Sequence, residues 1–157
     1  SLFVGGYVNP ISRGTSVITD TEIAQTAVKI ANEDKEGIWI GESQVNAQYL
    51  VANGLKVLNG INEYPNYDWI EKLDPEHKYE EVWNRYAHIA IILDKETSFD
   101  LLSTDIYFLH LTYDNLKQLN IKYLYTNVKA DETKKDNFKL ETLYENDLTG
   151  QYIYEIN

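Results

Sequence analysis

Short apolar segments alternate with amphipathic segments along this chain, and that alternation is the feature that most constrains its fold. The amphipathic segment "TDTEIAQTAVKIAN" precedes the apolar "IWIG", and "ESQVNAQYLVANG" precedes "LKVLNG". Thr19 and Glu22 have the spacing of a helix-capping box, and Gly54 stands where a left-handed residue would follow the second helix. Helices joined to buried strands by short connections are typical of a parallel sheet covered by helices.

The same pattern continues through the rest of the chain. Asp74 and Pro75 predict the start of a helix over residues 76–87, and "HIAIIL", "DIYFLHL" and "IKYLYTN" predict buried strands. The polar "VKADETKKDN" is typical of a loop, whereas "FKLETLYE" and "QYIYEI" predict a β-hairpin. The sequence therefore predicts one α/β domain over residues 1–157, with a mainly parallel sheet flanked by helices in a Rossmann-like order of elements and a C-terminal β-hairpin.

The charge balance excludes several classes of partner. The formal net charge is −11 and the pI is about 4.6, so phosphate backbones and anionic headgroups are repelled, and no nucleic-acid partner is expected. The absence of cysteine removes disulfides, thiolate nucleophiles and cysteine-bound zinc. No stretch reaches the roughly 18 continuous apolar residues that are needed to span a bilayer.

The motifs of several common enzyme classes are missing. Neither GxGxxG after a strand nor GxxxxGK[ST] occurs, which leaves dinucleotide and nucleotide chemistry without its usual support. The nucleophile elbow of serine hydrolases, GxSxG, fails because Val45 stands where the segment "GES" would need a second glycine. The sequence thus predicts no catalytic residue and no cofactor.

The three histidines, His77, His88 and His110, are too dispersed to form a helical metal-binding pair. His88 and His110 fall at the ends of predicted strands, so they could share a metal with Glu42 or Asp105 only if the fold brought them together. Histidines at strand ends are more often hydrogen-bonded structural residues. Because no ligand spacing supports a metal, no metal site is predicted.

Turn residues after the predicted strands form a first candidate ligand site. The segments 41–43, 59–60 and 62–69 would lie at the carboxyl ends of parallel strands, where open α/β sheets place their ligands. Planar rings can stack on sugar faces, and amides and carboxylates can pair with hydroxyls. The candidate carbohydrate contacts are Asn59, Tyr64, Tyr67, Asp68 and Trp69. The alternative is an aromatic loop that packs onto the surface of the domain.

The segment "EVWNRYAHIAIIL" provides a second candidate site. On the predicted helix, Asn84 and Arg85 fall off the apolar stripe that contains Trp83. A guanidinium at that place can cap the unpaired carbonyls of the helix end, or it can grip a carboxylate or phosphate with two hydrogen bonds. Asn84, Arg85 and His88 are therefore further candidate ligand contacts.

Several strings together resemble a known architecture. They are "YVNPISRG", "GIWIGE", "VANGLKVLNGINEYPNYDWIEKLDPEHKYEEVWNRYAHI", "LKQLNIKYLYTN" and the closing "QYIYEIN", which cover nearly the whole chain. They resemble the extracytoplasmic C-terminal domain of large polytopic bacterial membrane proteins that are similar to the GT-C class of lipid-linked-sugar glycosyltransferases. In that class the catalytic acidic residues lie in a loop between transmembrane helices, so the resemblance implies no catalytic residue in this chain.

The resemblance also implies where the domain works. The chain has no methionine and begins with the apolar "SLFVGGYV", as expected for the soluble tail behind the last transmembrane helix of a longer protein. Its location would be the extracytoplasmic face of a bacterial membrane, and its partner would be the transmembrane portion of the same polypeptide. The motif "NPxxRG", without assigned chemistry, is taken as structural and comprises Asn9, Pro10, Arg13 and Gly14.

Three hypotheses for function follow. The first is a non-catalytic accessory domain that helps to recognise a glycan or a lipid-linked sugar in cell-envelope assembly. The second is a protein-interaction or dimerisation module, and the third is a stand-alone carbohydrate-active enzyme. Exposed aromatic side chains of residues 64–69 around a concave site would favour the first hypothesis. A pocket with converging carboxylates and His88 or His110 would favour the third.

Overall fold

Six helices and seven strands form the part of the chain that a computed structural model describes, residues 21–60 and 68–157. The helices are α1 (Glu22–Glu33), α2 (Gln44–Ala52), α3 (Asp68–Leu73), α4 (Glu80–Trp83), α5 (Tyr113–Gln118) and α6 (Glu132–Phe138). The strands are β1 (Ile38–Gly41), β2 (His88–Leu93), β3 (Ser98–Ser103), β4 (Ile106–Leu111), β5 (Ile121–Thr126), β6 (Leu140–Asn146) and β7 (Gln151–Ile156). Within these two ranges, no helix combines the length and the apolar character that crossing a membrane requires.

The strands form two small sheets, and each sheet mixes parallel and antiparallel pairs. The four-stranded sheet has the order β1-β5-β7-β6, in which β1 and β5 are parallel and the other two pairs are antiparallel. The three-stranded sheet has the order β2-β4-β3, in which β2 is parallel to β4 and β3 is antiparallel to it. The fold is therefore a mixed α/β fold.

The prediction of a mainly parallel, Rossmann-like sheet is wrong. The parallel partners are not successive strands of a strand–helix–strand unit, because β1 pairs with β5 and β2 pairs with β4. The connection between Ser103 and Ile106 is too short for a crossover, so β3 and β4 form an antiparallel hairpin. The predicted hairpin of β6 and β7 is present, but β7 also pairs antiparallel with β5 and so lies inside the sheet.

The residue that follows β1, Glu42, joins the two sheets through its backbone. Its N–H donates to the carbonyl oxygen of Tyr125 at 2.9 Å, and its carbonyl oxygen accepts from the N–H of Ile91 at 2.9 Å. Tyr125 belongs to β5 and Ile91 belongs to β2. One peptide segment thus holds an edge of the three-stranded sheet against the four-stranded sheet.

The two faces of the four-stranded sheet contribute to two apolar clusters. The larger one, here called the intersheet cluster, extends over the three-stranded sheet and includes Ile40 and Tyr154. The smaller one, here called the helix-side cluster, includes Trp39 and Ile153 together with residues of α1 and α2. Neighbouring residues of β1 and of β7 therefore enter different clusters. Burial on both faces explains why "IWIG" is apolar without alternation.

Small polar side chains begin the first two helices. Thr21 Oγ1 accepts from the N–H three residues ahead at 3.2 Å, so Thr21 caps α1 and the predicted cap Thr19 lies outside the described residues. Ser43 Oγ makes the equivalent bond at 3.2 Å at the start of α2. Gly54 has a φ of 84°, which confirms the predicted left-handed residue after α2.

The helix predicted over residues 76–87 is shorter than expected and consists of the single turn α4. His77 has a φ of 56°, in the left-handed region, and this conformation interrupts any helix that would begin at residue 76. Asp74 Oδ1 and Oδ2 accept from the N–H groups of Lys78 and Tyr79 at 2.9 and 2.7 Å. Asp74 therefore caps the turn that precedes α4 and not the start of a long helix.

The sequence pattern misses three elements, the helices α3 and α6 and the strand β3, and predicts one strand too many. The segment "ETKKDNF" forms α6, in which Phe138 is the buried residue, so its polarity conceals a helix. The segment "SFDLLS" forms β3, in which only Phe99 is buried. "LKVLNG", predicted as a strand, contributes an isolated parallel bridge from Val57 to Trp39.

Candidate functional site

Asn59, the first of the candidate ligand contacts, links the two sheets. Its side chain is buried, with the residue 7% exposed, and Oδ1 accepts from the N–H of Gly41 at 3.0 Å. Nδ2 donates to the carbonyl oxygens of Gly41 at 2.7 Å and of Ile89 at 3.1 Å. Both amide hydrogens are therefore engaged by the backbone, one by the last residue of β1 and one by β2. Asn59 acts as a structural residue in this fold.

The aromatic candidates fall in a region that is only partly described. Asp68 is exposed at the start of α3, and Trp69 is half-buried against the intersheet cluster. The packing of Trp69 fits the alternative of an aromatic loop seated on the surface of the domain. The candidates that lie outside the described residues are Tyr64, Tyr67, Asn9, Pro10, Arg13 and Gly14.

Asn84 and Arg85 come together just after α4. Arg85 Nη2 donates to the carbonyl oxygen of Glu81, which is the helix-end cap that one of the two sequence interpretations predicts. Asn84 is exposed, and its Nδ2 donates to Glu80 Oε1 at 3.4 Å. His88 begins β2 and is half-buried. Of the candidate contacts in this segment, Asn84 is the most accessible.

A polar surface depression of about 510 Å³ surrounds Asn84. It is lined by His77, Lys78, Glu80, Glu81 and Asn84, and we call it the polar depression. Tyr86, two residues beyond Asn84, is 60% exposed and presents an aromatic ring on the same segment. The depression therefore gathers an amide, two carboxylates, an imidazole and an ammonium, all of which can hydrogen-bond to a polar ligand.

Asp74 fixes the segment that carries the polar depression. The residue is 4% exposed, and its Oδ2 also accepts from Trp83 Nε1 at 2.9 Å. Burial by itself raises the pKa of the Asp74 carboxyl, but the hydrogen bonds from Trp83 and from the backbone, with the nearby His77, outweigh burial and hold this pKa below its ordinary value. The ionised carboxylate thus ties the turn to the buried indole of α4.

A cavity of about 180 Å³ lies at the carboxyl ends of the parallel strands β1 and β5, against β2. We call it the intersheet cavity. Most of its wall is apolar and comprises Ile91, Ile92, Leu93, Leu124, Val128, Ala130 and Leu140. Its other lining residues are Glu42, Thr126, Lys134 and Tyr154. An apolar wall with a few placed polar groups is typical of small-molecule sites.

The polar groups of the intersheet cavity are held by local hydrogen bonds. Glu42 Oε2 accepts from Thr126 Oγ1 at 2.7 Å and from the N–H of Asn127 at 2.8 Å. Tyr154 Oη accepts from the N–H of Ala130 at 2.9 Å. Within residues 21–60 and 68–157, the ammonium of Lys134 forms no ion pair. The cavity therefore has a fixed carboxylate and a cation that forms no direct ion pair with the described residues, although the carboxylate of Asp94 lies close enough to interact with it electrostatically.

Of the three histidines, His77 lines the polar depression, whereas His88 and His110 line neither site and do not lie together. His88 and His110 stand four positions apart on the paired strands β2 and β4, which corresponds to about 13 Å. His110 lies between two carboxylates, with Nδ1 2.9 Å from Asp94 Oδ2 and Nε2 2.8 Å from Asp100 Oδ2. In the described part of the chain, no three side chains of histidine, aspartate or glutamate form a group that could hold a metal ion.

These features define the class of protein: a mixed α/β domain of two small sheets with an apolar cavity at their junction and a polar depression beside α4. A family model described as a domain of unknown function, DUF7654, matches residues 17–157, and the chain belongs to this family. No curated protein and no solved structure matches the chain. The resemblance to GT-C-class membrane proteins therefore stays a prediction.

Sequence reasoning located part of the intersheet cavity. The rule that places ligands at the carboxyl ends of parallel strands points to the segment "GES", and Glu42 of that segment does line the cavity. Thr126 and Tyr154 could be added only once the pairing of β5 with β1 and β7 is known. Lys134 was missed because the polarity of its segment predicts a loop and conceals α6.

Proposed function

We propose that this chain is a non-catalytic accessory domain of a bacterial membrane protein and recognises a cell-envelope glycan or the sugar of a lipid-linked substrate. The observation that carries the proposal is the polar depression around Asn84. Its open shape suits part of a longer saccharide, and its amide and carboxylate groups suit hydroxyls. The exposed ring of Tyr86 supplies a face on which a sugar could stack.

The charges of the polar depression favour a neutral saccharide. Glu80 and Glu81 line it, and the whole chain carries a net charge of −11. A polyanionic glycan or a bare phosphate would be repelled by this field, because a single lysine, Lys78, opposes it within the depression. We therefore expect the recognised group to carry hydroxyls or acetamido groups and no net charge.

The geometry of the carboxylates supports a binding role without catalysis. Glu80 and Glu81 are consecutive on α4, and consecutive helical side chains do not face each other. Glu80 is moreover engaged by both Asn84 and His77, the latter with Nδ1 3.0 Å from Glu80 Oε2. A pair of opposed carboxylates, as glycoside hydrolysis requires, is not formed by these two residues.

Glycan binding is tested by titrating the domain with neutral oligosaccharides of N-acetylglucosamine, galactose and mannose while the amide signals are followed by NMR. We expect saturable shifts around Asn84 for at least one of them. Asn84→Ala and Tyr86→Ala should each weaken that binding about tenfold, since each removes a hydrogen bond or a stacking face. Asn137→Ala on α6, an exposed site elsewhere, is the matched control. Absence of binding to all three sugars, or equal binding by the Asn84→Ala variant, would contradict the proposal.

The membrane part of the proposal is supported by the sequence resemblance and is tested separately. The gene that encodes this chain should specify many hydrophobic spans upstream of Ser1, with the last one close to Ser1. In that arrangement the domain would lie on the extracytoplasmic face and would contact the transmembrane portion of the same polypeptide. An upstream region without hydrophobic spans would contradict the tether and would leave glycan binding as an independent question.

One observation favours the second hypothesis, an interaction or dimerisation module. Leu101 and Leu102 are 47% and 59% exposed on β3, which within the described residues pairs only with β4. Apolar side chains on an open strand edge are typical of a pairing surface. If they mediate self-association, the mass measured by sedimentation equilibrium should rise with concentration, and Leu102→Lys should abolish the rise. Leu148→Lys, at an isolated 99% exposed leucine, is the control and should leave it unchanged.

A further inference from the structure

The intersheet cavity is separate from the polar depression, because the two share no lining residue. Its volume of about 180 Å³ exceeds that of a dry cavity of about 150 Å³ which holds benzene. A branched aliphatic group or a single aromatic ring is therefore the size of apolar body that it can accept. The residues that would contact this body include Ile91, Leu93, Leu124 and Leu140.

Two opposite charges line the same cavity without contacting each other. Glu42 Oε2 is taken by Thr126 and Asn127, whereas Glu42 Oε1 makes no hydrogen bond with the described residues. Lys134 lies on α6, and no carboxylate of the described residues lies within ion-pairing distance of its ammonium; Asp94 interacts with it electrostatically but pairs directly with His110 at 2.9 Å. A carboxylate oxygen and an ammonium are thus both available to a guest of the cavity.

We propose that the intersheet cavity binds a small zwitterion with an apolar side chain, of the kind represented by a free branched-chain or aromatic α-amino acid. The ligand ammonium would pair with Glu42, the ligand carboxylate would pair with Lys134, and the side chain would fill the apolar wall. Each of these contacts is a charge-assisted hydrogen bond or a burial of apolar surface.

A ligand with one charge would fit the cavity less well. An apolar carboxylate could pair with Lys134, but it would leave Glu42 Oε1 without a partner among the described residues and would add a negative charge to a chain whose net charge is −11. An apolar amine could pair with Glu42, but its charge would face Lys134. A zwitterion has no net charge and satisfies both groups, so the field of the whole domain does not oppose its binding.

The test compares three ligands that share one apolar body. They are L-leucine, 4-methylpentanoate, which lacks the ammonium, and 3-methylbutylamine, which lacks the carboxylate. In NMR titrations we expect leucine to shift the amide signals of Ile91, Leu93 and Ala130. Each of the other two ligands should bind at least about tenfold more weakly than leucine, because each lacks one of the two charge-assisted hydrogen bonds.

Two variants assign the charges to the residues. Lys134→Met removes the ammonium and should weaken the binding of leucine about tenfold. The binding of 3-methylbutylamine, which has no carboxylate, should not become weaker. Glu42→Gln keeps an oxygen that can accept hydrogen bonds from Thr126 and Asn127. It should weaken the binding of leucine but not the binding of 4-methylpentanoate. The matched control is Lys135→Met, on the same helix, because Lys135 pairs with Glu132 at 3.4 Å and does not line the cavity.

Three outcomes would overturn the proposal. One is equal affinity of the domain for all three ligands, and another is the absence of any shift at millimolar leucine. The third is equal leucine affinity of the Lys134→Met and Lys135→Met variants. Saccharide binding at the polar depression would be unaffected by any of them, because no residue of that depression is altered.

Discussion

Single buried polar side chains determine local geometry in this domain. Asp74 accepts hydrogen bonds from two backbone N–H groups and from the Trp83 indole. These bonds stabilise a turn at the place where the sequence pattern predicts the start of a helix. The prediction that Asp74 and Pro75 begin a helix is wrong, because the Asp74 side chain caps a turn and the helix begins only at Glu80. The pattern could not reveal the left-handed backbone of His77, because only a few per cent of non-glycine residues adopt it and histidine, although enriched there, usually does not.

Replacing Asp74 by asparagine should make the stability of the domain less dependent on pH. The folded pKa of the Asp74 carboxyl lies below its ordinary value, so its ionised form stabilises the fold above the unfolded pKa of about 3.9. This contribution is lost as the pH falls through the folded pKa. At neutral pH we expect Asp74→Asn to lower the free energy of unfolding by about 2 kcal/mol, because a donor amide would face other donors.

Urea denaturation over a series of pH values measures this effect. The difference between wild type and Asp74→Asn should be constant above about pH 5 and should shrink below about pH 4. Asp136→Asn, an exposed aspartate on α6, is the control and should stay within about 0.5 kcal/mol of wild type. A difference that did not change with pH would show that the Asp74 carboxylate makes no net ionic contribution.

At the scale of elements, strand β1 and helix α2 pack so closely at Gly41 that no side chain fits between them. A Cβ added at Gly41 would lie 2.3 Å from the backbone nitrogen of Ala47 and 2.7 Å from its Cα. Real Cβ atoms do not approach backbone atoms so closely, so the helix would have to move away from the strand. Gly41 also exchanges two hydrogen bonds with the Asn59 side chain, which would be displaced with it.

Gly41→Ala should therefore lower the free energy of unfolding by about 3 kcal/mol, as expected for a steric conflict with backbone atoms. Thermal and urea unfolding give the measurement. Gly54→Ala is the matched control, because nothing lies within 4 Å of its added Cβ and only its φ of 84° causes strain. That variant should cost about 1 kcal/mol, and Gly54→Asn should cost less. Equal losses for Gly41→Ala and Gly54→Ala would disprove the packing explanation.

The elements themselves could be predicted wherever one face is clearly apolar. Strands β1, β2, β4 and β5 follow from apolar segments such as "IWIG" and "HIAIIL", and helices α1 and α2 follow from "TDTEIAQTAVKIAN" and "ESQVNAQYLVANG". Apart from the hairpin of β6 and β7, the pairing of strands could not be predicted, because a strand that is buried on both faces is apolar whether its neighbour is parallel or antiparallel. Strand β3 and the helices α3 and α6 were missed because each buries a single residue, Phe99, Ile70 or Phe138, and so gives no periodicity.

At the scale of the whole molecule, two neighbouring groups hold the sheets together. The backbone of Glu42 bonds to β5 and β2, and the side chain of Asn59 bonds to β1 and β2. The intersheet cavity lies next to this junction, since Glu42 lines it. The sequence rule that predicted Asn59 as a ligand contact points to the junction beside the intersheet cavity, but Asn59 itself does not line that cavity and is bonded to the backbone.

Asn59→Asp should loosen the junction of the two sheets. The carboxylate would have the shape of the amide but would face the carbonyl oxygens of Gly41 and Ile89, which now accept from Nδ2. We expect the free energy of unfolding to fall by about 3 kcal/mol, because a charge would be buried and the oxygen that replaces Nδ2 would face two carbonyl oxygens without a donor, although the other oxygen still accepts from the N–H of Gly41.

Hydrogen exchange distinguishes this explanation from a general loss of stability. In the Asn59→Asp variant the amides of Gly41 and Ile91 should exchange faster than those of β6, because the former lie at the junction. Asn137→Asp introduces the same change at an exposed site and should alter stability by no more than about 0.5 kcal/mol. Uniform acceleration over both sheets would mean that Asn59 does not hold the junction specifically.

The position of β7 has a consequence for the order of assembly during synthesis. Strand β7 lies between β5 and β6, and the intersheet cluster needs its Tyr152, Tyr154 and Ile156. Synthesis proceeds from the amino end, so β1 and β5 can pair before β7, the neighbour at the other edge of β5, has been synthesised. Until residues 151–156 have left the exit tunnel, that edge offers unpaired N–H and C=O groups to other chains. A nascent copy of this domain is therefore most exposed to mispairing just before its last strand emerges.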